Sequence, residues 1–440
     1  MNKSKKCISD LYSIRTGFII SFIMNITDRI RSLERFGIKP GLDRISSMLE
    51  YLEHPEEAYK AVIVGGTNGK GSTCAMIDSI LRNAGFRTGL YTSPHLVCMN
   101  ERVAVNNTMI SDGALDTIGE QLFSIIENHH GLSDITYFEF LTALALEYFK
   151  EQHIDIAVLE VGMGGRFDAT NAVQPDVSTI TNIAMDHQAY LGNTMEDIAR
   201  EKAGIIRHGK PFVTTEINPS SIHVLETLCR EKDGILFAID RDFSFGGNEL
   251  NMNFYGNHST ITDIKLPLKG RHQLYNASAA IQSVLLLERE GITVSANDIR
   301  NGILRTLWPG RFETTRHNPD VILDSAHNPA GIEALVQTVK NNYNDRHVTA
   351  LFAVSKDKDW HTMLSMLSGI AKAFVLTSYE GERSADPHEL KSSIKDIKTE
   401  IIPSSRNALK YAVDITPQDG VIIATGSIYL IGELKKEAGT

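Results

Sequence analysis

Residues 58–86, AYKAVIVGGTNGKGSTCAMIDSILRNAGF, place a buried strand, a glycine-rich turn and an amphipathic helix in immediate succession. A β-branched apolar run that ends in glycines and gives way to a 3.6-residue pattern commits the chain to the strand–loop–helix unit of a parallel sheet. The alternation recurs. TGLYTSP (88–94) reads as the next strand, stopped by Pro94, and FEFLTALALEYFKEQ (138–152) as an amphipathic helix. IDIAVLEVGMGG (154–165) is another buried strand ending in glycines, and VSTITNIAMDH (177–187) runs from a strand into a polar end. Strands joined by crossover helices give an α/β, mostly parallel sheet whose ligands gather at the carboxyl ends of the strands. The motifs considered below fall at such ends.

A chain of 440 residues exceeds one ordinary core, so two domains are expected. The pattern pauses at LWPGRFE (307–313) and restarts with DVILDSAHNP, HVTALFAVS, KAFVLTS and DGVIIATGS, four further parallel strands of a second α/β domain. The boundary is placed near Pro309, giving units 25–309 and 310–440. Within the first, residues 212–265 are less regular and are expected to form a small antiparallel edge. Residues 1–24 begin with basic MNKSKK and an apolar run too short to span a bilayer. They read as a disordered or loosely helical extension, with Met24 as the true start. The net charge of −10 argues against general nucleic-acid or anionic-membrane binding. Four scattered cysteines (Cys7, Cys74, Cys98, Cys229) have no metal-site spacing, which fits a reducing cytoplasm.

The turn GTNGKGS (66–72) departs from the phosphate-binding template G-x-x-x-x-G-K-[ST]. Gly69 and Lys70 fit it, but Val64 stands at its first glycine and Gly71 at its metal-binding hydroxyl, which is displaced to Ser72. Without side-chain bulk at Gly69 and Gly71, the backbone N–H groups of Thr67, Asn68, Gly69, Lys70, Gly71 and Ser72 can cradle phosphates at a helix N-terminus, with Lys70 as counter-charge. Between a strand and a helix, that turn predicts ATP binding and leaves the metal ligand open.

GTNGKGS, TSPHL (92–96) and ERV (101–103) together resemble the folylpolyglutamate synthase and dihydrofolate synthase family of the Mur ligase superfamily. The likeness continues in order through FEF, EVGMGGRFDATN, DHQAYLGNT, EKAGI, GRHQLYNASAA, PGRFE and DSAHNP, over residues 37–430. It implies a Mur-ligase-like P-loop ATPase domain followed by a Rossmann-like C-terminal domain. The implied reaction uses ATP and two Mg²⁺ ions to phosphorylate a carboxylate, and an amine then displaces phosphate to form an amide. Such chemistry needs the metal to neutralise the transferring phosphoryl group.

The resemblance implies metal ligation by Ser93, Glu160 and His187, and by Lys202 once carbamylated by CO₂; Lys70, Lys202 and His187 become the catalytic set. Read alone, Ser93 suits a pre-proline turn and Lys202 a solvated helix charge, whereas Glu160 at the end of an apolar strand is costly unless paired. Asn276 matches an adenine contact, Arg311 a phosphate contact across the cleft, and Asp324 a ribose contact with His327 nearby. Gly41, Leu42, Asp43 and Arg44 in GIKPGLDRI, with Thr136, Arg166 and Asp168, match the dihydropteroate side. Retention of Arg166 and Asp168, with Phe167 where Leu is usual, leans toward an enzyme that both adds L-glutamate to 7,8-dihydropteroate and extends reduced folates through their γ-carboxylates. The substrates implied are small molecules, and the family leans monomeric. A peptidoglycan-precursor ligase is the runner-up, but only 36 residues precede the GIKPGLDRI segment, too few for the additional UDP-sugar domain. A non-catalytic nucleotide sensor would be expected to lose some of Ser93, Glu160, His187 or Lys202, and all four are present.

Overall fold

Strand alternation sends Ile63 to one face of β1 (Lys60–Gly65) and Val62 and Val64 to the other, and both faces are buried. That is why the run reads as continuously apolar. A computed structural model describes residues 25–257 and 259–438. The expectations for residues 1–24, including the start at Met24, lie outside them.

Around β1 the chain builds an eight-stranded sheet with β2 (Thr88–Tyr91), β3 (Val103–Val105), β4 (Thr108–Met109), β5 (Ile156–Glu160), β6 (Val177–Ile180), β7 (Pro211–Thr214) and β8 (Ile235–Ala238). The strand order is β4-β3-β2-β5-β1-β6-β7-β8. All neighbours from β2 to β8 are parallel, and β3 and β4 add an antiparallel edge. Register aligns the loops that matter: Val64 lies opposite Glu160, Gly65 opposite Ile180, and Tyr91 opposite Leu159. The turns after β1, β2, β5 and β6 therefore open at one level.

The expectation of one antiparallel edge over residues 212–265 is corrected. β7 and β8 extend the parallel sheet, and a separate antiparallel sheet follows in β9 (Phe243–Asn248), β10 (Asn251–Gly256) and β11 (Thr260–Ile264). Both β7 and β8 are four-residue strands, and β8 is partly exposed, so neither carries a readable period. Their place is set by non-local pairing.

The second large sheet, of six strands, has the order β12-β13-β17-β14-β15-β16. Its four anticipated strands are β13 (Asp320–Leu323), β14 (Val348–Phe352), β15 (Ala373–Ser378) and β17 (Val421–Thr425), all parallel. Two edge strands were not anticipated: antiparallel β12 (Glu313–Arg316) and parallel β16 (Lys398–Ser404). Both are charged and half-exposed, so they lack the apolar run that marks a central strand. Apolar clusters cover both faces of this sheet as well. Among the described residues no helix is long and apolar enough to cross a membrane.

Candidate active site

Gly69 caps the helix Lys70–Asn83 at φ 85°, and a Cβ there would stand 2.3 Å from the Asn276 Oδ1. Gly71, where the phosphate-loop template has its hydroxyl, is closed in another way. A Cβ at this position would lie 2.9 Å from Cζ2 and 3.0 Å from Nε1 of Trp308, in the connection between the two sheets. Trp308 thus occupies the space a serine would need, and gives this departure from the template a packing cause. The Lys70 ammonium rests on the carbonyls of Gly66 and Thr67, each at 3.2 Å.

The carboxyl ends of both sheets face one cavity of about 520 Å³. The turn residues Thr67, Asn68, Gly69, Lys70, Gly71 and Ser72 line it, as do Ser93, Glu160, His187 and Lys202. From the other side come Asn276, Arg311, Asp324 and His327. The structure therefore brings together every residue expected to touch nucleotide or metal.

The Ser93 N–H donates to Glu160 Oε2 at 2.9 Å, tying the turn after β2 to the end of β5. Glu160 is 5% exposed, and burial raises its carboxyl above the usual range against the pull of Lys70. A buried acid of this kind is costly unless paired or metal-bound. His187 sits at φ 51° before the short helix Gln188–Leu191, and burial lowers its imidazole, which keeps it neutral. Hard carboxylate and hydroxyl oxygens with one neutral imidazole fit Mg²⁺ or Mn²⁺. The Lys202 ammonium is buried with a donor bond of 2.8 Å to the Gly66 carbonyl. Burial, and then the charge of Lys70, lowers it to about 7.

Asn276 donates to Gln273 Oε1 at 2.9 Å, in the helix Arg271–Leu286. Asp324, at the end of β13, accepts from the Phe312 and Ala326 N–H groups at 2.9 Å each. Burial raises its carboxyl while Arg311 opposes the shift. The His327 Nδ1 lies 2.9 Å from the Ser325 carbonyl, which leaves Nε2 as the bare nitrogen of a neutral ring; burial and Lys358 lower that imidazole to about 4.

The residues matched to the pterin side are not among those lining this cavity. Arg44 makes an ion pair with Glu139 at 3.0 Å, and Glu139 closes a capping box with Thr136 at the start of the helix Tyr137–Glu151. Gly41 (φ 131°), Leu42 and Asp43 lead into the helix Asp43–Tyr51 that carries Arg44. Asp168 is spent inside its own loop, accepting from Met163 N at 2.9 Å and from Thr170 N and Oγ1 at 3.1 and 2.6 Å. Arg166 is 59% exposed and lies 4.0 Å from Glu201. Packing still connects the two groups: a Cβ on Gly162, which lines the cavity, would stand 2.6 Å from the ring of Phe138, two residues after Thr136. A second cavity, of about 810 Å³, opens at the amino ends of β1, β5 and β6 beside His54, Glu56 and Glu57. No residue of the motifs lines it.

Sequence reading missed Trp308, Lys358, Arg383 and Tyr429; the last three also line the cavity. Lys358 and Tyr429 follow strand ends, in SKDKDW and TGSIYL, and that position was the available signal.

The chain matches the Mur ligase middle domain over residues 64–284 and the Mur ligase glutamate ligase domain over 310–428. It is 35% identical over 412 residues to a dihydrofolate synthase/folylpolyglutamate synthase of Bacillus subtilis, covering 91% of this chain and 96% of the relative. It superposes on E. coli FolC in complex with DHPP and ADP with a TM-score of 0.85 at 32% identity, covering 95% of this chain and 98% of that one. A bifunctional folylpolyglutamate synthase/dihydrofolate synthase with Mn, AMPPNP and L-glutamate bound gives a TM-score of 0.85 at 31% identity, covering 95% and 99%. With its Mur ligase fold, this chain belongs to the folylpolyglutamate synthase and dihydrofolate synthase family.

Proposed function

We propose that the chain is an ATP- and divalent-metal-dependent ligase that joins L-glutamate to 7,8-dihydropteroate and to the γ-carboxylate of reduced folates. The observation that carries this is the single cavity in which the Lys70 turn and the Ser93–Glu160 pair of one sheet face Arg311, Asp324 and Arg383 of the other. Cavity-lining residues from both units, 25–309 and 310–440, are then needed for one reaction.

The balance of the reaction is simple. A substrate carboxylate oxygen attacks the γ-phosphorus of ATP, and ADP leaves. The glutamate amine then attacks the acyl carbon, and inorganic phosphate leaves with that oxygen. Lys70 would exchange its two loop carbonyls for phosphate oxygens, and Arg311 would approach them from the facing unit. Ser93, Glu160 and His187 would hold a divalent ion, which neutralises charge on the phosphoryl group in transfer. Lys202 is suited to carbamylation because burial brings its amine close to neutrality; the resulting carboxylate would serve a second ion. Arg383, 60% exposed and 3.5 Å from Asp357, keeps hydrogen-bonding capacity for a glutamate carboxylate. A closed, dry cleft protects the acyl phosphate from water. On this reading the pterin would lie beside Arg44 and Thr136, which Glu139 ties together. We place the enzyme in the cytoplasm as a monomer; Cys74, Cys98 and Cys229 are all free thiols.

Purified protein is given ATP, Mg²⁺ and L-glutamate with either 7,8-dihydropteroate or tetrahydrofolate. Glutamylated product from both acceptors supports the bifunctional reading. Product from one acceptor restricts it, and product from neither refutes it.

A further inference from the structure

Four side chains form a hydrogen-bonded chain from the first sheet's loops to the second's. Asn68, in the glycine turn, and Asn328, which caps the helix Pro329–Asn342, exchange carboxamide bonds of 3.2 and 3.0 Å. Asn328 also donates to Asp186 Oδ2 at 3.0 Å. Asp186 Oδ1 then accepts from the Lys358 ammonium at 2.6 Å. The two ends of this ion pair are 8% and 10% exposed. Asp186 belongs to the loop after β6, and Lys358 to the loop after β14.

The same Asp186 Oδ1 accepts from the backbone N–H of His187 at 2.8 Å. His187 has left-handed backbone, a conformation a non-glycine residue keeps only where its surroundings hold it. Lys358 therefore lies two bonds from the geometry of a residue assigned to the metal, and it reaches that residue from the other half of the molecule. Its ammonium spends one donor on Asp186 at the cavity wall. Removing the Lys358 ammonium while the halves stay closed would leave the buried Asp186 carboxylate without the partner that offsets its desolvation. A buried pair that loses one member is strongly destabilised.

We infer that Lys358 is a positioning residue. By pairing with Asp186 it latches the two halves over the cavity and fixes the His187 loop for metal binding. The inference rests on the proposed ligase reading for the role of His187, but the latch itself does not depend on turnover.

The test uses the full chain with AMPPNP, measuring Mn²⁺ binding by electron paramagnetic resonance and the radius of gyration by small-angle scattering. Lys358→Met is expected to weaken Mn²⁺ binding about tenfold or more, the size of effect seen when the outer support of a metal ligand is lost. It is also expected to expand the scattering profile. Lys358→Arg, which keeps the charge, should restore both. A purely structural lysine would lower the melting temperature of Lys358→Met while leaving Mn²⁺ affinity and compactness unchanged, and that outcome overturns the inference. If the parent protein fails to ligate glutamate, the scattering comparison still decides the latch.

Discussion

Replacing Gly71 by serine would restore the hydroxyl of the usual phosphate loop, and the structure says that it should harm the protein. The new Cβ would lie 2.9 Å from Cζ2, 3.0 Å from Nε1 and 3.1 Å from Cε2 of Trp308, all inside normal contact distance. Trp308 is half-buried and packs against the apolar cluster that includes Ile77 and Ile80 of the same helix, so its ring cannot simply swing into solvent. Overpacking of this kind costs about 1–3 kcal/mol. Urea unfolding followed by circular dichroism would read that loss for Gly71→Ser as a lower midpoint. Trp308→Leu makes room, so the double variant should lose less than the sum of the two single losses, by about 0.5–3 kcal/mol. The added hydroxyl should not tighten Mg·ATP binding, since Ser93, Glu160 and His187 carry that role in the proposed site. Parent-like stability of Gly71→Ser together with tighter Mg·ATP binding would refute the reasoning.

Three further outcomes follow from the buried titratable groups. With its amine lowered to about 7, Lys202 is about one-tenth neutral at pH 6 and about nine-tenths neutral at pH 8; ¹³C-bicarbonate should give a carbamate resonance that grows over this range and is absent from Lys202→Arg, whereas a spectrum shared by the two proteins would exclude the modification. Asp168 accepts three bonds inside the 162–170 loop, so Asp168→Ala should slow turnover of dihydropteroate and tetrahydrofolate by the same factor; a loss confined to dihydropteroate would place the carboxylate against the pterin instead. His272 is held neutral, its imidazole lowered to about 4 by burial and then by Arg311. Below about pH 6.5 the unfolded chain takes up a proton there that the folded chain does not, so stability falls from pH 6.5 to 4. His272→Gln should flatten that part of the midpoint-against-pH curve, and an unchanged slope would count against it.

Much of this architecture is visible in the residues because central strands buried on both faces must be apolar throughout. β1, β5, β14 and β17 are of that kind, and each was legible. β8, β12 and β16 were not, because an edge strand is half-exposed and its pairing partners lie far away in sequence. The glycine turn and Glu160 leave a local signature, a glycine-rich strand-to-helix turn and a lone acid at the end of an apolar strand. Ser93, His187, Lys202, Asn276, Arg311 and Asp324, in contrast, were named through the family resemblance; all of them line one cavity. Trp308 could not be read, since its contact with Gly71 joins residues more than two hundred positions apart. Asp168 shows the opposite limit. Its motif marked it as important, but only the hydrogen bonds show that both oxygens are taken by its own loop.

The central claim is that a substrate carboxylate is activated by phosphoryl transfer in the shared cavity. Dihydropteroate labelled with ¹⁸O in its carboxylate, turned over with ATP, Mg²⁺ and L-glutamate, tests it most directly. The account predicts one ¹⁸O in each inorganic phosphate released, with one ADP and one amide formed per turnover. Amide formation with unlabelled phosphate would contradict it.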